Sequence, residues 1–258
     1  MRRGLLIVDR GSREREAYAE LEEITDAARS RGGYDFADFC FLEVLPPYIK
    51  DGMKKCLAQN LDTLTIVPYF LYPGKKIKAT VNDVMSYQKD TGTKFLVTRP
   101  MTQHPAMVDL VDRRIVQALR RDGLDADPAN TDVLVIGHGS KDPNAQMSIN
   151  YVVDRLRQKY RNVERCFLEI EQPDIEAGIR TCEASSPGTL AIVFYFLHEG
   201  AHVKRDIYAD LNPALEHSSL DMVCITRHIG ADDAMVDLIL ERADEVERTV
   251  PGAEHNAD

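Results

Sequence analysis

Short apolar runs rich in Leu, Ile and Val alternate along this chain with longer stretches whose apolar residues return at helical spacing. Runs near Leu5–Asp9, Asp38–Glu43, Leu64–Phe70 and Lys94–Thr98 read as strands. The stretches near Arg13–Ser30, Pro47–Gln59, Lys78–Lys89 and Ala106–Arg120 read as helices. This alternation is the signature of an α/β fold built on a parallel sheet.

The pattern is then written a second time, from Val133–Gly137 through Met235–Val246. Cys40-Phe41-Leu42-Glu43 returns as Cys166-Phe167-Leu168-Glu169, and Tyr69-Phe70-Leu71 as Tyr195-Phe196-Leu197, each 126 residues on. Gly11-Ser12 returns as Gly139-Ser140 and Ala106-Met107-Val108-Asp109-Leu110 as Ala234-Met235-Val236-Asp237-Leu238, each 128 residues on. Near-constant spacing over four matches marks an internal duplication. The expected fold is two tandem homologous α/β domains, each a parallel, flavodoxin-like sheet of about four strands flanked by helices. Their expected limits are 1–124 and 131–248, joined by Asp122–Thr131 with its Gly123, Pro128 and Asn130, and followed by a flexible tail at 249–258. Pro47 and Pro173 fall near the starts of equivalent helices, where proline is tolerated.

Composition narrows the function. With 42 acidic against 32 basic residues in 258, net charge −10, the chain lacks the basic surface that nucleic acid requires. Its longest strongly apolar stretch, Leu190–Leu197, is far short of the roughly 20 residues that cross a bilayer. Asp9 and Arg10 interrupt the first apolar run too early for a signal peptide, so a cytoplasmic protein is expected. Five scattered cysteines contain no close pair and read as reduced thiols.

Ligands of open α/β sheets bind beyond the carboxyl ends of the strands. In the second half the first strand leads to His138, the second to Glu169, and the third into His198, Glu199 and His202. A strand order of 2-1-3 would make those ends neighbours and bring His138, Glu169 and His202 across one crevice. Two imidazoles and a carboxylate suit iron, cobalt, nickel or zinc, and three protein ligands leave positions open for transfer. Taken singly, each residue reads more readily as a cap or packing group than as a metal ligand. The equivalent positions of the first half carry Arg10, Glu43 and Lys76, and protonated Arg and Lys do not ligate metals. Two readings of that trio stay open: a vestigial pocket whose cations neutralise Glu43, or three unrelated solvated side chains. His104, His217, His228 and His255 have no supporting constellation and read as structural or exposed.

These residues resemble the class II chelatases acting on sirohydrochlorin, of the CbiX and SirB types. The resemblance rests on His138-Gly139-Ser140, on Phe167-Leu168-Glu169 with Pro173, and on the loop Phe196-Leu197-His198-Glu199-Gly200-Ala201-His202 leading into Val203–Ile207. It spans both halves, from about residue 4 to about 245. Some long members of the family keep the active set in the N-terminal half, whereas here it stands in the C-terminal one. The resemblance implies insertion of cobalt or iron, with nickel a further candidate, into sirohydrochlorin or a related tetrapyrrole, in cobalamin or siroheme biosynthesis. The metal is then a substrate, and no organic cofactor is implied. His138, Glu169 and His202 become the metal-binding and catalytic set. Ser140, Lys141, Lys204 and Arg205 become candidates for the substrate's carboxylates, helped by backbone N–H groups at Gly139 and Ser140. His198 and Glu199 are candidates for metal delivery. Two fused halves can bury the surface a single-domain relative would use to pair, so a monomer is expected. The main alternative is a non-catalytic metal or tetrapyrrole carrier on the same fold. A histidine phosphatase is disfavoured because Gly137 stands where its phosphate-binding arginine is needed, and a Rossmann enzyme because no Gly-x-Gly-x-x-Gly follows the first strand.

Overall fold

A computed structural model describes residues 1–72, 74–198 and 200–249, with the side chains of Asp90 and of residues 201–204 outside that description. In chain order its main elements are β1 (Arg3–Asp9), α1 (Arg15–Gly32), β2 (Phe36–Phe41), α2 (Ile49–Leu57), β3 (Thr63–Pro68), α3 (Lys75–Ser86), β4 (Lys94–Val97) and α4 (Pro105–Arg121). The second series is β5 (Thr131–Gly137), α5 (Gln146–Leu156), β6 (Asn162–Phe167), α6 (Ile175–Ala184), β7 (Thr189–Phe194), α7 (Ala201–Glu216), β8 (Val223–Ile225) and α8 (Asp233–Glu247). The strands form two four-stranded parallel sheets, ordered β2-β1-β3-β4 and β6-β5-β7-β8. The expected 2-1-3 neighbourhood therefore holds in each. No helix among the described residues is long and apolar enough to cross a membrane.

Unit 1 comprises Met1–Met101 and the chain from Ala231 onward. Its central strand β1 carries Leu5-Leu6-Ile7-Val8, all fully buried, because helices cover both faces of the sheet. Side chains alternate across a strand, so Leu6 and Val8 enter one core with Cys40, Ile49, Met53, Ile66 and Val84 under α2 and α3. The other face is covered by α1 and α8.

Unit 2, Thr102–Gly230, repeats this plan. Leu134 and Ile136 of β5 enter a core with Cys166, Ile175, Ile192, Ile207 and Leu211 beneath α6 and α7. The opposite face is covered by α4 and α5. All five cysteines are buried free thiols, and burial pushes the Cys182 and Cys56 thiols up to about 12.

The last helix of each repeat does not pack where the sequence order put it. α4, expected with the first sheet, lies in unit 2, where Asp112 accepts from Tyr160 (2.8 Å) and Lys159 (2.7 Å). α8, expected with the second sheet, lies in unit 1, where Glu247 accepts from the Tyr34 hydroxyl at 2.8 Å and pairs with Arg3. Sequence repeats and packed units therefore divide the chain differently: the repeats run on through α4 and α8, whereas the packed units divide after Met101 and after Gly230. Smaller shifts occur at element ends. β2 stops at Phe41 rather than Glu43, and α2 opens at Ile49 after a cis Pro46–Pro47 bond. α3 begins at Lys75, which brings Lys76 into its first turn.

Candidate metal centre

At the carboxyl end of β5 the chain leaves the sheet through His138, Gly139 and Ser140. Pairing with the neighbouring strand continues past its formal end, since Leu168 N–H donates to Gly137 C=O at 2.9 Å and Glu169 N–H to His138 C=O at 3.0 Å. His138 and Glu169 thus sit on adjacent backbones at the end of the sheet. Gly139 has φ of +91°, and a Cβ there would stand 1.9 Å from the Glu169 carbonyl oxygen, so only glycine allows this approach. His138 is half-buried, with Nδ1 3.3 Å from the Gly139 carbonyl oxygen, and Glu169 is exposed.

The Glu169 loop is tied to the His138 loop by a residue that sequence reasoning missed. Glu171 accepts from Ser140 N–H at 2.7 Å through one carboxylate oxygen and from the Gln146 side chain through the other. Nothing in the sequence marked it, because an acidic residue after a strand reads as solvated. Its presence corrects one expectation: the Ser140 N–H expected to receive a substrate carboxylate already holds an internal one. The Ser140 hydroxyl oxygen also accepts from Asp142 N–H at 3.0 Å. Lys141 and Arg205 are exposed, and Arg205 lies 3.9 Å from Asp206. His202 and Lys204 belong to the first turn of α7, but their side chains lie outside the described residues, as does Glu199. His198 is half-buried just beyond β7. Among the described residues, which do not include the His202 side chain, no three His, Cys, Asp or Glu side chains gather as a metal site. Of the remaining histidines, His104 caps α4 by accepting from Ala106 N–H at 3.3 Å, and His255 lies outside the described residues.

Unit 1 has the same scaffold with different side chains. Leu42 N–H donates to Asp9 C=O at 2.8 Å and Glu43 N–H to Arg10 C=O at 3.1 Å. Gly11, at φ +100°, again excludes a Cβ, here by 2.3 Å to the Glu43 carbonyl oxygen. On this frame Arg10, Glu43 and Lys76 come together. Arg10 Nε bonds Glu43 Oε1 at 3.0 Å, and Lys76 Nζ bonds Glu43 Oε2. The hydrogen bond from Lys76, reinforced by Arg10 and opposed by partial burial, holds the Glu43 carboxyl below the usual carboxylate range. The three are one ion-paired cluster, not unrelated solvated groups.

The CbiX family model matches residues 4–118 and again 132–246. The chain belongs to the CbiX family. Its two CbiX repeats account for the doubled sheets and for the shared frame at their carboxyl ends. Among known relatives, the sirohydrochlorin cobaltochelatase of Priestia megaterium is 24% identical over 248 residues, which cover 94% of this chain and 79% of that protein. The chloroplastic sirohydrochlorin ferrochelatase of Arabidopsis thaliana is 31% identical over 126 residues, 48% of this chain and 56% of that one. Among solved structures, SirB from Bacillus subtilis with Fe3+ superposes with a TM-score of 0.80 at 22% identity, covering 95% of both chains. A SirB complex with cobalt from the subspecies spizizenii gives 0.77 at 19% identity, covering 98% of both. Those two likenesses establish the tandem fold.

Proposed function

We propose that this CbiX protein inserts cobalt or iron into sirohydrochlorin and that the working site is in unit 2, formed by His138, Glu169 and His202. One observation carries the choice of residues: in unit 1 the three equivalent positions meet, as Arg10, Glu43 and Lys76. His202 is the second residue of α7 as Lys76 is the second of α3, and both sheets have the same strand order. The frame that gathers two cations about a carboxylate in unit 1 supports reading the same positions of unit 2, two histidines and a carboxylate, as a metal site.

Electrostatics supports the exchange. Two cations and one carboxylate carry a net charge of +1, and so do a divalent ion, one carboxylate and two neutral imidazoles. Arg10 and Lys76 thus do for Glu43 what a metal would do for Glu169, and unit 1 is read as a vestigial site.

Insertion requires that the ion shed water, that two pyrrole N–H protons leave, and that ring nitrogens replace protein ligands. His138, Glu169 and His202 hold the ion from one side of the ring, and the two pyrrole protons pass to two of these three groups as ring nitrogens displace them from the ion. Three ligands leave the remaining positions of the ion open toward the ring. Imidazole must be neutral to ligate, so metal loading falls as pH drops from 8 to 5. The macrocycle's carboxylates meet Lys141, Lys204 and Arg205, with Ser140 offering its hydroxyl. Relatives named for cobalt and for iron support both metals as candidates.

The test is anaerobic insertion of Co2+ and of Fe2+, followed by the visible absorbance of the macrocycle. Turnover above the protein-free rate is expected with sub-stoichiometric protein. Stoichiometric metal binding without acceleration would replace the chelatase by a carrier.

A further inference from the structure

The turn between Glu169 and Glu171 is strained, exposed and written twice. Glu171 N–H donates back to the Glu169 carbonyl at 2.7 Å, closing a three-residue turn around Ile170, whose φ is +70°. A γ-turn with positive φ is rare, and a β-branched residue is the least suited to it. Unit 1 has the same turn around Val44, with φ of +78° and Leu45 N–H donating to the Glu43 carbonyl at 3.0 Å. A loop that needed only to reverse would be served better by glycine or asparagine. The side chains give the fold little in return, since Ile170 is 56% exposed and Val44 42%.

The Ile170 turn is also pinned on both sides. Glu169 N–H is bonded to the His138 carbonyl, and the Glu171 carboxylate is bonded to Ser140 N–H and to Gln146. Strain that persists because its surroundings over-determine it is characteristic of ligand-binding segments. What the strain secures is an aliphatic side chain held outward, one residue from a proposed metal ligand.

We infer that Ile170 is a substrate-contact residue: an apolar ledge that bears on the face of the tetrapyrrole ring beside Glu169. The inference rests on the chelatase reading of unit 2 and adds the contact that this reading lacks. His138, Glu169 and the nearby cations answer to the ion and to the rim carboxylates, whereas the flat faces of the ring are apolar and need an apolar partner. A branched aliphatic group beside Glu169 also keeps water from re-entering the ion's shell as ring nitrogens replace protein ligands. Val44 is the same ledge in the unit that has lost the metal-binding side chains.

Ile170→Gly removes the side chain and the strain together, and separates contact from fold. Its thermal midpoint should be no lower than that of the wild type, its KM for sirohydrochlorin should rise about tenfold, as expected for losing about half the burial of an isoleucine, and its KM for Co2+ should stay within about twofold. Ile170→Val, which keeps a branched ledge, should retain near-wild-type KM. Val44→Gly relieves the same strain in unit 1 and should leave KM unchanged. The ledge is overturned if Ile170→Gly leaves the sirohydrochlorin KM unmoved, if Ile170→Val is impaired as far as the glycine variant, or if Val44→Gly raises KM equally. A parallel titration of metal-free sirohydrochlorin into the full chain, read by its own absorbance, needs no turnover. Weaker binding to Ile170→Gly with no insertion by any form would keep the ledge and remove the chelatase; normal turnover by wild type and glycine variant alike would do the reverse.

Discussion

Replacing Glu247 by alanine should cost unit 1 a large part of its stability. Glu247 is the last residue of α8 and is 4% exposed. It accepts from the Tyr34 hydroxyl at 2.8 Å and the Thr65 hydroxyl at 2.5 Å, and pairs with Arg3, whose guanidinium lies 4.5 Å from the Tyr34 ring centre. Burial, and then the Glu247 charge, push the Tyr34 phenol far above its ordinary value, so it remains a donor at all working pH. Removing the carboxylate would leave a phenol, a hydroxyl and a part-buried guanidinium without their acceptor. Breaking one side of a buried, hydrogen-bonded ion pair costs about 3–5 kcal/mol, against about 5–15 kcal/mol for a typical domain. For a unit of this size that corresponds to a fall of roughly 10–20 °C in Tm. Glu247→Gln, which keeps an acceptor for Tyr34 or Thr65, should lose about half as much. Urea unfolding followed by far-ultraviolet circular dichroism and tyrosine fluorescence measures both. A cost below about 1 kcal/mol for the alanine variant would refute the claim that this network fastens α8 to the first sheet.

The scaffold shared by the two units is open to direct tests. Arg10→His with Lys76→His should give unit 1 a metal site, seen by equilibrium dialysis as one Co2+ equivalent in a His138→Ala, His202→Ala background; no gain would remove the vestigial-site reading. Gly139→Ala should weaken Co2+ binding at least tenfold and lower Tm, because its Cβ would collide with the Glu169 carbonyl oxygen at 1.9 Å and force the two loops apart; unchanged calorimetry would contradict the adjacency of His138 and Glu169. Glu43 has a lowered folded pKa, so its contribution is complete above the ordinary carboxylate value and disappears as pH falls through the folded one. Glu43→Gln should therefore cost under about 1 kcal/mol near neutrality, the pair being exposed, and nothing in strong acid, as read from urea midpoints at each pH.

How far the sequence leads depends on which contacts are local. Strands, helices and their order follow from periodicity, and the duplication follows from matched tetrapeptides such as Cys40–Glu43 and Cys166–Glu169, so both sheets were legible. The helix exchange was not: the buried stripe of α4, with Met107, Leu110, Val111 and Ile115, shows that the helix needs a sheet but not which one. Arg114 and Asp112 choose the sheet by bonding Ile229 C=O and Tyr160, long-range contacts with no local trace. At the site, the types and positions of Arg10, Glu43 and Lys76 were readable, and the fold added their ion pairing. The roles of Ile170 and Glu171 were hidden because a positive φ at a β-branched residue contradicts local preference and is imposed by the surrounding hydrogen bonds.

The most direct test of the central claim compares multiple-turnover Co2+ insertion into sirohydrochlorin, under anaerobic conditions, by three forms of the full chain: wild type, His138→Ala with His202→Ala, and Arg10→Ala with Lys76→Ala. The account predicts many turnovers by the wild type, the protein-free rate without the two histidines, and retained turnover without the two cations. Turnover that survives loss of both histidines but fails without Arg10 and Lys76 would contradict it and move the working site to unit 1.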